Sequence, residues 1–281
     1  MFGTESFRYN PRQLYQVGGT PGAECRLLPA SAQLGTAVHY HWSLSIEAGT
    51  VELPVIPDNA VDLVLSPNLH DFAALYFPVE NPYTITLEGP VHYVGTCLRL
   101  EGLTSLLGHS PDVLRDLEAG PATVSALSLG ALIAKLSVLE DPHEIGRSLD
   151  AFFLAHRRPP KPVSESDAAS EFDQALVEQF LDTLEPVHVA GLAQRIGVSE
   201  RQLRRETRRL FGLAPKKIQR IVRLQRALGE LIDDGPAIAD FHDDSHRIRE
   251  LRVLTGWTPS ELSRLARKYH TDHPVPSSRL S

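Results

Sequence analysis

The hydrophobic pattern of the chain changes period once, near residue 100, and that change limits the fold more than any single motif. Up to about residue 98, apolar and aromatic residues come in short runs: AVHYHWSLSI, TVELPVI, VDLVLS, FAALYF, YTITL and VHYVGTCLRL. Their β-branched and aromatic content is that of strands, and the turn signals IPDNA, SPN, VENP and LEGP fall between them. This spacing predicts a small antiparallel barrel or sandwich filled by inward Tyr40, Trp42, Leu63, Leu65, Ile85 and Leu87. From residue 101 the repeat becomes helical, in EGLTSLLG, PDVLRDL, LGALIAKLSVLE and PHEIGRSLDAFFLAHRR. The stripe Leu129, Leu132, Ile133, Leu136 and Leu139 reads first as intradomain core, with pairing of two subunits as the alternative.

HRRPPKPVSESDAAS, residues 156 to 170, holds three prolines followed by small polar residues, a composition that neither continues a helix nor buries a core. We expect a first domain over 1–157, β-rich to about 98 and helical over 101–157, then a linker over 158–170. An all-helical domain over 171–270 and a flexible tail over 271–281 complete the expected α+β, two-domain organisation.

The 281 residues carry 28 Lys plus Arg against 35 Asp plus Glu, a net charge of -7. Taken whole, that balance points away from nucleic acid. By region it does not. Residues 1–170 hold 10 basic and 19 acidic side chains, and residues 171–281 hold 18 and 16. Within Ser199–Arg226 ten cations face only Glu200 and Glu206. A solvated helix surface is the bland explanation of such a stripe; its placement argues otherwise. With 42% hydrophobic and 22% charged residues, wholesale disorder is excluded. No apolar run approaches the ~18 residues of a membrane span. The start MFGTESFRYNPRQ lacks the apolar stretch of a signal peptide, so a soluble cytoplasmic protein without membrane partners is expected. Cys25 and Cys97 are too few for a disulfide framework or a four-cysteine zinc site.

The basic stripe sits in VHVAGLAQRIGVSERQLRRETRRLFG. Val189, Leu192, Ala193 and Ile196 share one helix face, and Gly197 supplies a tight turn. Ser199 is a good N-cap with Gln202 three residues on, and Leu203, Leu210 and Phe211 continue an apolar face. Small Ala193 lets the two helices cross closely. The spacing predicts a helix-turn-helix whose second helix exposes Arg201, Arg204, Arg205 and Arg208 to guanine edges or phosphates.

The stretches LAQRIGVSERQLRR, FGLAPKKIQRIVRLQRAL and DDSHRIRELRVLTGWTPSEL resemble the C-terminal DNA-binding domain of the AraC/XylS family of bacterial transcriptional regulators, over about residues 172 to 270. The resemblance implies two helix-turn-helix units joined by a linker helix. Gly212, Pro215, Arg223, Leu224 and Ala227 fit the linker-helix pattern, and Ser245, His246, Arg249, Gly256, Thr258 and Pro259 fit the second unit. Recognition positions fall on Arg201, Arg204 and Arg205, and the DNA-contacting set expected is Ser199, Arg201, Arg204, Arg205, Arg208, Lys216, Lys217, Ser245, His246 and Arg249. Two departures stand out. Thr207 replaces a usual aromatic. Between Ile232 and Ser245, with Gly235 and Pro236 interrupting, there is room for only about two helical turns, and Asp243 and Asp244 face phosphates poorly. A shortened second unit is therefore expected, with the first unit dominating affinity.

VIPDNAVDLVLS and GPVHYVGTCLRLEGLTSLLGHSPDVLRDL are similar to the sensory domain of one large AraC-type subgroup, which implies signal sensing and help with dimerisation. For a ligand site the residues offer Tyr40, Trp42, Asp58, Asp62, Tyr76 and Tyr93, with Phe72 and Phe77 completing an aromatic set. Pro57-Asp58-Asn59 is first of all a turn, and Asp62 reads as an outward strand position. His39 and His41, with His70 and His92, raise a metal site only through their alternation, and Cys25 and Cys97 read as small buried apolar residues. No phosphate loop, nucleophile elbow or HExxH is present, and no cofactor is expected. The partners expected are double-stranded DNA, a small-molecule effector, RNA polymerase and a second copy as homodimer. The alternatives are a regulator defective in DNA binding that acts by protein contact, and a small-barrel metalloprotein.

Overall fold

A computed structural model of the chain describes residues 11–17, 20–69, 72–157, 165–181, 188–233, 245–262 and 264. Seven strands form its first part: β1 (Ala23–Leu28), β2 (Val38–Ile46), β3 (Thr50–Val55), β4 (Val61–Ser66), β5 (Phe72–Tyr76), β6 (Tyr83–Glu88) and β7 (Val91–Leu98). A five-stranded antiparallel sheet has the order β1-β2-β7-β4-β5, and β3 pairs with β6 in a second sheet. β1, AECRLL, is not among the runs that read as strands, because its half-buried alternation carries few strong β-formers.

The large sheet is covered on both faces, and this decides which side chains fill the barrel. Tyr40, Trp42, Leu44 and Ile46 of β2, Val64 of β4 and Cys97 of β7 meet Val51 and Leu53 of β3, with Ile85 and Leu87 of β6 packed against them. On the opposite face Val61, Leu63, Leu65, Val94 and Leu98 join a larger core with the helices. Leu63 and Leu65, expected inside the barrel, thus face the helical layer, and Asp62 between them faces inward rather than out. A strand's period of two fixes the set that travels together but not its side. Where both faces are buried, hydrophobicity cannot choose. Gly95 of β7 lies opposite Trp42; a Cβ there would fall 2.1 Å from the indole, so only glycine lets the ring cross the sheet.

The helical layer consists of α1 (Leu103–Leu107), α2 (Pro111–Arg115), α3 (Pro121–Ala126), α4 (Gly130–Leu136) and α5 (Pro142–His156). Leu129, Leu132, Ile133 and Leu136 are buried in its core, with Leu139 packed against them. α5 starts cleanly because the Asp141 carboxylate accepts from the His143 amide at 3.1 Å and Pro142 needs no donor partner. His41 belongs to this layer. Its ring lies 2.8 Å from Thr96 Oγ1 and 3.1 Å from Asp150 Oδ1 and stacks on Phe153. It is a core histidine tied on both nitrogens. Among the described residues no group of three or more His, Cys, Asp or Glu is placed to hold a metal, and His70 lies outside them.

The second part contains α6 (Glu165–Leu181), α7 (Val189–Ile196), α8 (Glu200–Phe211), α9 (Pro215–Asp233) and α10 (Ser245–Thr255). α6 begins six residues inside the stretch read as linker; Pro162 is its last proline, and beyond it SESDAAS can coil. Leu176, Val177, Phe180, Leu192, Leu203, Leu210, Phe211, Ile218 and Val222 continue the core of the α1–α5 layer without a break. A separate cluster joins Leu224 and Leu228 of α9 to Leu251 and Leu254 of α10, and includes Leu14 and Ile56 from the first part. The shortened helix expected between α9 and α10, with Gly235, Pro236, Asp243 and Asp244, falls outside the described residues.

Candidate functional site

α7 and α8 form a helix-turn-helix at the spacing the sequence predicts. Gly197 takes φ 76°, a left-handed conformation that glycine adopts without strain. Ser199, at φ -71° and ψ 152°, accepts from the Gln202 amide at 3.2 Å and starts α8. Leu203, Thr207, Leu210 and Phe211 turn inward. Buried Thr207 keeps its hydroxyl satisfied by donating to Arg204 O at 3.2 Å, which is how this inward position of α8 carries a polar residue.

Arg201, Arg204, Arg205 and Arg208, spaced i, i+3, i+4 and i+7, are exposed on one face of α8. Arg204 pairs with Glu200 at 2.8 Å and Arg205 with Glu206 at 2.7 Å, whereas Arg201 and Arg208 have no acidic partner among the described residues. Such exposed pairs are weak, so all four guanidinium groups can be redirected to a polyanion. Arg209 faces away, paired with Glu206 and Asp173, and serves structure. Lys216 is exposed and Arg249 is exposed on α10. Lys217 forms an ion pair with Glu80 of the first part. The side chains of Ser245 and His246 lie outside the described residues.

The opposite end of α8 is held by the first part of the chain. Arg115 of α2 donates to Arg209 O at 3.3 Å and to Leu210 O at 3.2 Å, placing a cation on carbonyls that a helix C-terminus leaves unpaired. The same guanidinium sits 4.5 Å from the Phe77 ring centroid. On α9, Gln225 accepts from Arg12 N at 2.7 Å and donates to Pro57 O at 2.8 Å. Asn59 Nδ2 donates to Ile218 O at 3.2 Å.

Phe77 and Asp58 also line a cavity of about 290 Å³ inside the barrel, together with Trp42, Asp62, Tyr76 and Tyr93. Tyr40, named with them from the sequence, is not on its wall: its hydroxyl donates to Pro11 O at 3.1 Å. Gln13, Tyr15, Leu53 and Tyr83 also line it and are not among the residues the sequence offers for the site. Tyr83 was within reach, since it shares a strand face with Ile85 and Leu87. Gln13 was not, because it acts from outside the strands by bonding Ile56 O, Ile56 N and Asp58.

Asp62 accepts from Trp42 Nε1 at 2.8 Å, and Asp58 from Gln13 Nε2 at 2.7 Å and Ala60 N at 3.2 Å. Burial pushes the Asp58 carboxyl up to about 6. Burial and the charge of Asp58 push Asp62 up to about 7. With folded values above the unfolded ones, both carboxyls favour folding while protonated. That contribution is fully present below about pH 4 and declines as pH rises toward about 7. Asp62→Asn, which keeps the acceptor for Trp42, gains thermal stability over the parent as pH rises across this window. Melting of both proteins at pH values from about 4 to about 8 checks it; a parent-to-variant difference constant with pH contradicts it.

An exposed row of arginines on a capped helix behind a left-handed glycine turn defines the class of helix-turn-helix DNA-binding proteins. Comparison with known proteins specifies it. Residues 192–265 match a helix-turn-helix domain, and residues 26–119 match a domain of unknown function (DUF6597). The chain thus carries a helix-turn-helix domain toward its C-terminal end, preceded by this DUF6597 domain. The crystal structure of ToxT from Vibrio cholerae O395 is similar over 87% of this chain and 98% of that one, at 10% identity and a TM-score of 0.43. No curated protein matches the chain.

Proposed function

We propose that the protein is a sequence-specific, ligand-responsive regulator of transcription that reads the major groove mainly through α8. The observation that carries this reading is the exposed row Arg201, Arg204, Arg205 and Arg208 on a helix capped at its start by Ser199 and held at its far end by Arg115. The end that enters the groove is open, and the end that meets the first part is fixed. In this reading Ser199 and Lys216 add phosphate contacts, and Arg249 on α10 supplies a lesser contact. A homodimer would set two α8 helices on two half-sites and raise their effective concentration, with RNA polymerase as the downstream partner.

Four arginine–phosphate or base contacts imply strong salt dependence, because each neutralised phosphate releases counterion. Plotted as log K against log salt, binding of the intact protein to duplex DNA upstream of its own gene should fall with a slope of about -4 or steeper. A slope near zero would count decisively against α8 as a DNA reader.

The cavity is the sensory element of this reading. Its wall residue Phe77 and the last carbonyls of α8 share Arg115, so a ligand that moves Phe77 changes how α8 is held. Arg115→Ala should leave DNA affinity within about threefold of the parent while removing most of the ligand's effect on it. Titration of DNA with and without ligand measures both; an unchanged ligand response in the variant assigns the coupling elsewhere.

A further inference from the structure

Among the described residues the cavity wall contains two carboxylates, Asp58 and Asp62, and no Lys, Arg or His. Both oxygens of Asp58 accept protein hydrogen bonds. Asp62 Oδ1 accepts from Trp42, and its other oxygen accepts none among the described residues. The remaining lining is aromatic and aliphatic, with Tyr15, Trp42, Tyr76, Tyr83 and Tyr93 among the rings. Buried carboxylates are ordinarily paired, and aromatic walls favour positive charge.

We propose that this cavity is the receptor site for a small organic cation, one amine or quaternary ammonium centre on an apolar body, whose charge is held between Asp62 and Asp58. The assignment rests on the sensory reading above and supplies its ligand class. An anion would meet two like charges. A divalent metal takes about six hard oxygen ligands, typically carboxylates, carbonyls and water, where the wall offers two carboxylates, an amide of Gln13 already bonded to Asp58 and Ile56, and neutral hydroxyls. A polyhydroxylated ligand needs many polar partners, and most of this wall is apolar. The volume admits a molecule about the size of a phenylalkylamine.

Because the unliganded site favours protonated carboxyls, entry of a cation releases protons and its affinity rises with pH. Tyr15, Tyr40 and Tyr83 and the thiols of Cys25 and Cys97 are pushed upward first by burial and further by the nearby carboxylates. They stay neutral across this range.

The chain has two tryptophans, so Trp257→Phe leaves Trp42 as an optical reporter within the cavity. Phenethylamine and benzyltrimethylammonium are titrated against the isosteric neutral 2-phenylethanol and the anion phenylacetate. The cations should bind at least about tenfold more tightly than the alcohol, with affinity rising from about pH 5.5 to about pH 8. Asp62→Asn should remove that preference, and the comparison of amine with alcohol in the Asp62 protein decides the matter even if the variant folds poorly. Equal or tighter binding of the alcohol or the carboxylate overturns the cation assignment and leaves the sensory reading standing. Binding of none of the four overturns the assignment; DNA affinity indifferent to every ligand that binds the first part overturns the sensory reading itself.

Discussion

Arg204→Ala lowers affinity for the specific site by about ten- to a hundredfold, the effect of losing one bidentate base contact worth ~1–3 kcal/mol. The loss is one of recognition rather than folding. Arg204 is exposed, and its partner in the free protein is Glu200 at 2.8 Å across one helical turn, a pair worth at most ~1 kcal/mol. The Ser199 cap and buried Leu203, Leu210 and Phe211 that define α8 are untouched. Release of Glu200 adds a carboxylate near the phosphates, which deepens the loss. Arg249→Ala on α10 should weaken binding by less than about threefold. Anisotropy titrations of specific and scrambled duplexes at one salt concentration compare the two variants; equal losses contradict the dominance of the first unit.

Phe211→Ala destabilises the chain by about 3–5 kcal/mol, the range for removing a fully buried aromatic. Phe211 is 0% exposed and meets Phe180 of α6 edge-on at 5.9 Å. It precedes Gly212, whose left-handed turn at φ 75° carries the chain into α9. The cavity left behind would open between α6, α8 and the core shared with the α1–α5 layer. The urea midpoint should fall accordingly, with DNA binding lost over the same denaturant range. A loss under about 1 kcal/mol contradicts a common core for α6 and α8.

Residues that act locally were legible in the sequence, and residues that act at a distance were not. Gly197, Ser199, Gln202 and the apolar face of α8 declare themselves within two turns of helix, because caps and turns depend on a residue and its neighbours. Strand positions from β2 to β7 follow from periodicity, and Trp42, Asp58, Asp62, Tyr76 and Tyr93, grouped from the sequence, all line the cavity. The facing of β4 was not legible. Leu63 and Leu65 look like the interior set until helices cover the other face, and then Asp62 becomes the inward residue. Lys217 reads as a phosphate contact from charge alone, and its ion pair with Glu80, 137 residues away, depends on the tertiary fold. Arg115 carried no motif at all. Its role comes from a tertiary contact between an aromatic cavity wall and the carbonyl end of α8.

Capture of genomic DNA bound by the intact protein, beside the same capture with Arg204→Ala, tests α8 as a sequence reader most directly. The parent should enrich a small set of fragments sharing one recurrent sequence, and the variant should lose that enrichment while keeping weak, salt-sensitive binding to bulk DNA. Fragments distributed like the bulk genome for the parent, or the same enriched set retained by the variant, would contradict it.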